Sequence, residues 1–265
     1  MAGIYPRQHF ISKGTITMKV SLITNTPNPE EVITMAAKMC YSNKTIDEMS
    51  IEEHEDFIKR LMELGHESPI EHVTFTFGIE GISRACSLQM VRHRIASYSQ
   101  KSQRYVKEDQ FDYVIPPTIE GSCAEDRFRK LMGYIQAEYN SIRNDIIAEL
   151  EEQGVDKKSA EKIANEDARY VLPNACQTSL VVTMNARSLF NFFKLRCCNR
   201  AQWEIRAVAD EMYRICYMVA PTLFTYAGPG CVVNGRCSEG KMSCGLSAQK
   251  IREFDIFRKR CDFNA

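Results

Sequence analysis

Apolar residues recur at the three- and four-residue spacing of amphipathic helices in four parts of the chain. The pattern predicts helices over about 57–64, 128–146, 189–195 and 208–219. The residues after Gly81 predict a further helix that runs to about Ile95. Helix is therefore expected to be the main element of the fold.

Capping and stop signals mark the ends of these helices. Asn28 followed by Pro29 is typical of a helix start, with Asn as the N-cap, and this helix is expected to reach about Cys40. Residues 50–53, Ser-Ile-Glu-Glu, fit a capping box. Asn185 can cap the helix that follows it. The expected helix ends are Gly65, Gly154 and Pro221.

Strand patterns lie between the helices. Residues 73–79 alternate large apolar residues with threonine, which is typical of a strand with one face in water. A β-branched run at 179–184 and the segment 18–23 predict two more strands. There is no internal repeat, low-complexity segment or clear linker. These elements predict one α/β or α+β domain that is rich in helix.

Composition excludes several classes of protein. With 265 residues, 44% hydrophobic and 26% charged, the chain can bury a large core, so disordered and collagen-like classes are excluded. No apolar run is long enough for a membrane span and no signal peptide is visible, so a soluble cytoplasmic protein with no membrane partner is expected. The eleven cysteines are scattered, which favours reduced thiols. A net charge of zero argues against a nucleic-acid partner.

Charge is nevertheless unevenly distributed. Neither 81–107 nor 168–203 contains an acidic residue. The cations of these two runs are Arg84, Arg92, Arg94, Lys101, Arg104, Lys107, Arg169, Arg187, Lys194, Arg196 and Arg200. Arginines without carboxylate partners are free to bind an anion, and phosphate fits the guanidinium fork best, although a solvated basic face is the plainer alternative. Because neither a P-loop nor a G-x-G-x-x-G turn is present, side chains would have to hold any nucleotide.

Two clusters raise the question of a metal. His66, Glu67, Glu71 and His72 lie close together, but the spacing is not H-E-x-x-H and Pro69 keeps the two histidines off one helical face. A second cluster contains three cysteines with gaps of five and six residues, which do not match C-x-x-C. Its members are Cys231, Cys237 and Cys244, and Cys197, Cys198 or Cys261 could supply a fourth ligand. Structural thiols are the favoured interpretation, and no metal site is predicted.

One further pattern is specific to a family. Arg92, His93 and Arg94 are followed after seven residues by Ser102, which is similar to the signature of the flavin-dependent thymidylate synthases. The same order of segments follows in "GHESPIEH", "VLP" after Arg169, "NARSLFNFF" and "LRCCNRAQWEI". The resemblance covers about residues 18–220.

The resemblance implies a reaction and a fold. Members of the family make dTMP from dUMP, with carbon from methylenetetrahydrofolate and reducing equivalents from NADPH through FAD. A central mixed or antiparallel sheet flanked by helices is implied, in a homotetramer whose non-Rossmann flavin site lies at subunit interfaces. The implied domain is 18–225, preceded by a leader or extension at 1–17 and followed by a cysteine-containing segment at 226–265.

Matching positions carry over the implied site residues. The flavin-binding set is Ser68, Glu71, Arg92, His93, Arg94, Ile95, Asn191, Leu195 and Arg200. The dUMP-binding set is Gln89, Arg92, Gln100, Ser102, Gln103, Arg104, Arg169 and Arg196. The catalytic set is His66, Arg196 and Ser102. Arg196 would stabilise negative charge on the uracil ring, which activates it without a covalent enzyme nucleophile, and Ser102 would hydrogen-bond to dUMP. The route of the methylene, directly or by way of the flavin, is open.

Three positions depart from the pattern common in the family. Gln100 stands where many members carry Glu, Gln103 where Gly is frequent, and Arg200 where some carry His. An arginine at position 200 still serves an anion but loses any proton-transfer role.

Three other functions fit the sequence less well. A nucleic-acid-binding module would carry excess positive charge. A flavin- and folate-dependent methyltransferase for uracil in RNA would need a long basic groove and a dinucleotide turn. A purely structural oligomer would not explain the two acid-free runs.

Overall fold

A computed structural model describes residues 18–49 and 54–262 of the chain. In these residues the strands form one antiparallel sheet in the order β1-β2-β4-β3. The strands are β1 Lys19–Asn25, β2 Thr74–Ser83, β3 Ser97–Gln100 and β4 Gln177–Asn185. The α+β fold class is confirmed. The expected extension at 1–17 and the capping box at 50–53 lie outside the described residues.

Helices make up most of the remaining structure. They are α1 Pro29–Met39, α2 His54–Glu63, α3 Arg84–Met90, α4 Glu125–Glu152, α5 Lys157–Ala168, α6 Ala186–Arg196, α7 Trp203–Val219, α8 Pro221–Phe224, α9 Gly230–Val233 and α10 Ser247–Asp262. Short 3-10 turns lie at Ile46–Glu48, Pro69–His72, Arg169–Val171 and Gly240–Met242. No helix in the described part of the chain is long and apolar enough to cross a membrane. The cytoplasmic location stays a prediction.

The core lies on one face of the sheet. Phe75, Phe77 and Ile79 of β2 alternate with more exposed residues and are fully buried, as the period of two predicts. α6 and α7 pack against this face, where Phe224 meets Phe75 edge-on at 5.4 Å between ring centroids. On the opposite face, the hydroxyls of Thr76 and Thr183 hydrogen-bond across the strands at 2.9 Å.

α10 joins the same core from the C-terminal segment. Its Phe254 lies 4.7 Å from Tyr213 of α7 between ring centroids, and Phe257 also packs against that tyrosine. α10 therefore belongs to the same hydrophobic cluster as the sheet. The expected domain boundary near residue 225 stays a prediction.

Local signals located most helix ends correctly. Gly65 and Gly154 both adopt positive φ angles, 73° and 83°. After α2, the His66 N–H donates to the Leu61 carbonyl and the Gly65 N–H donates to the Met62 carbonyl, which is the hydrogen-bond pattern of a Schellman motif. At the start of α6, the Asn185 side-chain oxygen accepts from the Ser188 N–H at 2.8 Å. These expected ends are confirmed.

Asn28 lies at the predicted N-cap position but does not act as predicted. Its backbone is left-handed, with φ 43°, and its side chain caps no backbone group of α1. The amide instead donates to Glu31 at 3.1 Å. Asparagine is tolerated here because it adopts the left-handed region more readily than most residues.

The prediction of a helix from Gly81 to about Ile95 was wrong at both ends. β2 continues through Gly81, whose φ of 69° suits the irregular pairing between Ile79 and Ile82, and ends at Ser83. α3 then ends at Met90. The strand β3, which follows, was not predicted because it is short and polar.

Candidate functional site

The segment that follows α3 is held by a tyrosine. The hydroxyl of Tyr98 donates to the Met90 carbonyl at 2.7 Å and is 3.0 Å from the His93 carbonyl, so one side chain contacts both ends of the turn. The N–H of His93 also donates to the Met90 carbonyl. Arg92, Arg94 and the half-buried His93 are therefore presented from a fixed turn.

His93 and Arg196 form the centre of the site. Nε of Arg196, the last residue of α6, donates to Nε2 of His93 at 3.1 Å. The edge of the Phe192 ring packs against the imidazole, with 4.8 Å between ring centroids. Burial and then the nearby Arg196 charge lower the pKa of His93 to about 4. His93 is thus a neutral acceptor at pH 7. It takes only the Nε–H of Arg196, so the two Nη groups of Arg196 form no hydrogen bond to any described residue.

A second group of predicted residues lies along β3 and the loop that follows it. The side-chain amide of Gln100 donates to the hydroxyls of Ser87 and Thr178, at 2.9 and 3.2 Å. The amide of Gln103 donates weakly to the Cys176 sulfur at 3.5 Å and is buried. Both departures from the family pattern are therefore structural contacts in which the glutamine donates, a role that neither glutamate nor glycine could fill.

Arg104 contacts α5, the helix that ends just before Arg169. Nε of Arg104 lies 2.6 Å from a carboxylate oxygen of Glu166, and Arg169 follows three residues after that glutamate. The segment after Arg169 is fixed to α3, since the Asn174 carbonyl accepts from the Ala85 N–H at 3.1 Å. Ser102, whose hydroxyl accepts from the Arg104 N–H at 3.3 Å, lies in the same region.

The loop containing His66, Ser68 and Glu71 lies at the other end of α6. Arg187, in the first turn of α6, forms ion pairs with Glu71 and, at 3.3 Å, with Glu67. Arg187 and Arg196 are nine residues apart on one helix, which corresponds to about 14 Å along its axis. The predicted residues near Arg187 and those near Arg196 therefore form two separated clusters along α6. The side chains of Asn191 and Leu195 lie between them, both exposed and one helical turn apart.

The sequence is similar to those of known proteins over most of its length. Residues 21–222 match the family described as "Thymidylate synthase complementing protein". The chain belongs to this family. The flavin-dependent thymidylate synthase of Clostridium tetani is 53% identical over 240 residues, which is 89% of this chain and 96% of the relative. The protein of that name from Geobacter sulfurreducens is 49% identical, over 89% of this chain and 98% of the relative. The one from Pyrococcus furiosus is 40% identical, over 84% and 90%.

Many cations of the two acid-free runs are not free to bind an external anion. Five of the eleven cations in the acid-free runs have carboxylate partners from elsewhere in the chain. The pairs are Lys101 with Glu108, Arg104 with Glu166, Lys107 with Asp109, Arg187 with both Glu67 and Glu71, and Arg200 with Glu239. Arg84, Arg92, Arg94, Arg169, Lys194 and Arg196 form no ion pair within the described ranges. The second group contains Arg92, Arg94 and Arg196, which remain available for an external anion.

Three residues that the sequence interpretation left without a role support the site. Tyr98 holds the turn at His93, and Arg187 holds the loop at Glu71. Glu204 is buried at the start of α7, where it hydrogen-bonds to Ser83, the N-cap of α3. Ser83 and Glu204 are 121 residues apart, so the sequence shows only that each lies at the start of a helix and gives no sign that they pair.

Proposed function

We propose that this protein catalyses the reductive methylation of dUMP to dTMP. Methylenetetrahydrofolate would donate the carbon, and NADPH would donate reducing equivalents through FAD. One observation carries the proposal beyond membership of the family. The Arg196 to His93 contact joins residues 103 positions apart, and it brings the arginine-histidine-arginine segment against the helix that begins within "NARSLFNFF".

The described residues fit a large, anionic, aromatic cofactor. Bound flavin would supply a hydride to the one-carbon unit. The residues that would hold FAD are Ser68, Glu71, Arg92, His93, Arg94, Ile95, Asn191, Leu195 and Arg200. Asn191 and Leu195 lie on α6, and other members of the set lie near the two ends of this helix. A set spread over this length suits an extended dinucleotide better than a small ligand. Arg92 and Arg94 have no carboxylate partner in the described structure and offer charge for its phosphates.

Arg196 has the geometry for an electrostatic role. Its Nε is occupied by His93, so the guanidinium plane is fixed and both Nη groups remain to face a substrate. A neutral His93 leaves the arginine as the local positive charge, because the pKa of the imidazole lies near 4. In this proposal Arg196 stabilises negative charge that develops on the uracil ring of dUMP.

The nearby thiols are poor candidates for a nucleophile. Cys86 and Cys176 are fully buried, and burial raises the pKa of both, to about 11 for Cys176. A thiol that stays protonated at neutral pH attacks slowly. Ser102 has no histidine or carboxylate base among its hydrogen bonds in the described chain. We therefore assign Ser102 a hydrogen bond to dUMP, and the ring would be activated without a covalent enzyme intermediate.

Gln89, Gln100, Gln103, Arg104 and Arg169 complete the proposed dUMP set. Gln100 and Gln103 already donate within the protein, so their free carbonyl oxygens are acceptors for a substrate N–H. Arg104 forms an ion pair with Glu166, whereas Arg169 forms no ion pair within the described residues and is free to bind the phosphate of dUMP. His66 would orient reacting groups from the exposed loop near Glu71.

The proposal includes a homotetramer with flavin sites at subunit interfaces. Ile95, beside the arginine-histidine-arginine segment, is 76% exposed, and Leu195 on the facing helix is 51% exposed. The proposed subunit interface would cover both of these exposed apolar side chains. A second subunit could bridge the two clusters that α6 holds apart.

The test is spectroscopic first and catalytic second. The visible absorption of the protein loaded with FAD should change when dUMP is added, which would place flavin and nucleotide in one site. Arg196→Ala should keep the flavin spectrum and lower dTMP formation at least about 100-fold. Arg214→Ala removes an exposed cation from α7 and is the matched control, which should retain full activity. A protein that binds no FAD, or full turnover by Arg196→Ala, would contradict the proposal.

A further inference from the structure

A small cavity beside the end of α6 is lined by four cysteines. Cys198 enters it from the loop after Arg196, and Cys231, Cys237 and Cys244 enter it from the C-terminal segment. All four are partly buried free thiols. The cavity has a volume of about 80 Å³, which is room for an ion or a few waters rather than a nucleotide.

The four thiols border one small space. Cys198 and the three cysteines of the C-terminal segment line a cavity of about 80 Å³, although they come from distant parts of the chain. As thiolates they would repel one another, and a divalent cation would turn this repulsion into attraction, since thiolate is a preferred ligand of soft metals.

The surroundings suit a site with excess negative charge. Four thiolates around a divalent cation carry a net charge of −2, and Lys194, Arg200 and Lys250 line the same cavity. Arg200 and Lys250 are paired with Glu239 and Asp210, whereas Lys194 forms no ion pair within the described residues. The backbone N–H of Leu246 points at the Cys244 sulfur, at 3.5 Å. Such N–H donors to sulfur are common around thiolate ligands, where they offset charge and orient the ligand.

The chain between the cysteines is shaped by glycines. Gly235 lies between Cys231 and Cys237, and Gly240 lies between Cys237 and Cys244, with φ of 67° and 51°. Glycine adopts this left-handed conformation without steric cost, and the three cysteines on either side of these glycines all line the cavity. Gaps of five and six residues therefore reach one point without the C-x-x-C spacing that the sequence interpretation required.

We propose that this cavity is a structural site for one zinc ion held by Cys198, Cys231, Cys237 and Cys244. Binding would release the four thiol protons and form four Zn–S bonds. In the described residues no three ligand side chains are already placed to hold a metal, so the thiols must move together as they deprotonate. The site would tie the loop after Arg196 to the C-terminal segment, and it replaces the expectation that these cysteines are only structural thiols.

A disulfide is the competing outcome. A disulfide would use only two of the four cysteines that line the cavity. A tetrahedral metal site would use all four thiols.

The experiment measures metal on the full chain, independently of flavin or turnover. Protein reduced under nitrogen is incubated with Zn²⁺, desalted and analysed for zinc by plasma mass spectrometry. About one zinc per chain is expected, falling below about one tenth in Cys237→Ser and in Cys244→Ser. The control Cys123→Ser changes an exposed cysteine that does not line the cavity, and it should keep its zinc.

A measurement on the unaltered chain covers the case in which these variants fail to fold. Zinc should protect four of the eleven cysteines from alkylation, and a chelator should restore their labelling. Cobalt(II) in place of zinc should give the visible bands of a tetrahedral thiolate site. Less than about one tenth of a zinc per chain, bound iron and sulfide, or an intact mass two hydrogens lighter would each overturn the proposal.

Discussion

The carboxylate of Glu204 accepts two hydrogen bonds from Ser83, one from its backbone N–H and one from its hydroxyl, both at 2.6 Å. Ser83 in turn caps α3 by accepting from the Cys86 N–H at 3.0 Å. The pair thus links the start of α7 to the helix that precedes Arg92 and His93. Because Glu204 is buried, its loss would leave two donors without an acceptor.

Glu204→Ala should therefore lower the free energy of unfolding by about 2 to 4 kcal/mol, since each stranded donor costs about 1 to 2 kcal/mol. Glu204→Gln keeps one acceptor oxygen and should lose less. Denaturant unfolding at constant pH measures both, with Glu211→Ala on the exposed side of α7 as the control. Equal losses for Ala and Gln at position 204 would contradict this prediction, because Gln keeps the volume of the Glu204 side chain and one of its two acceptor oxygens.

Glu204 should also make stability depend on pH. Burial raises its pKa above the ordinary value of 4.5, and the Ser83 hydrogen bonds oppose that shift. The folded protein then binds the proton more tightly than the unfolded chain. The resulting stabilisation is complete below pH 4.5 and is lost as the pH rises through the raised folded value. The stability of the unaltered protein relative to Glu204→Gln should fall over that window, and a constant difference would contradict the assignment.

His93 should contribute with the opposite sign. Its pKa falls from 6.5 to about 4, so the unfolded chain takes up a proton at a pH where the folded protein does not. The stabilisation is complete above pH 6.5 and is lost as the pH falls towards 4. NMR titration of the imidazole should show a midpoint well below 6.5. Arg196→Ala should raise that midpoint only in part, because burial is the larger cause.

The two asparagines at helix starts should respond differently to mutation. Asn185→Ala removes the acceptor for the Ser188 N–H and should cost about 1 kcal/mol. Asn28→Gly should be neutral or slightly stabilising, because a left-handed residue that caps nothing is well served by glycine. Thermal or chemical unfolding compares the two variants directly. A larger loss at position 28 than at 185 would reverse the assignment.

Arg187 should matter more for binding than for stability. Its ion pairs with Glu67 and Glu71 are all about half exposed, so Arg187→Ala should change the free energy of unfolding by less than about 1 kcal/mol. It should still weaken FAD binding several-fold, since the loop that presents Ser68 and Glu71 loses its contact with α6. Arg214→Ala breaks a similar exposed pair on α7 and should change neither quantity. Unchanged FAD affinity in Arg187→Ala would remove Arg187 as a positioning residue.

Several elements could be predicted because their causes are local. The alternation in β2, the glycines after α2 and α4, and the cap at Asn185 depend on residues within a few positions of one another. Backbone sterics and nearest-neighbour hydrogen bonds decide such features, and both can be inferred from a short stretch of sequence. The extra length of β2 was missed because Gly81 was interpreted as a strand end, whereas long-range pairing with β4 carried the strand onward.

The arrangement of the site was decided by contacts between distant parts of the chain. The sequence by itself determined the helix-rich α+β class, the positions of most helix ends and the motif that is specific to the family. Only the tertiary structure decided that Arg196 meets His93, that Arg104 and Arg187 are paired while Arg92 and Arg94 are not, and that four cysteines share one cavity. The reason is physical: ion pairing and burial depend on which surfaces pack together, and that is set by the whole core rather than by any segment.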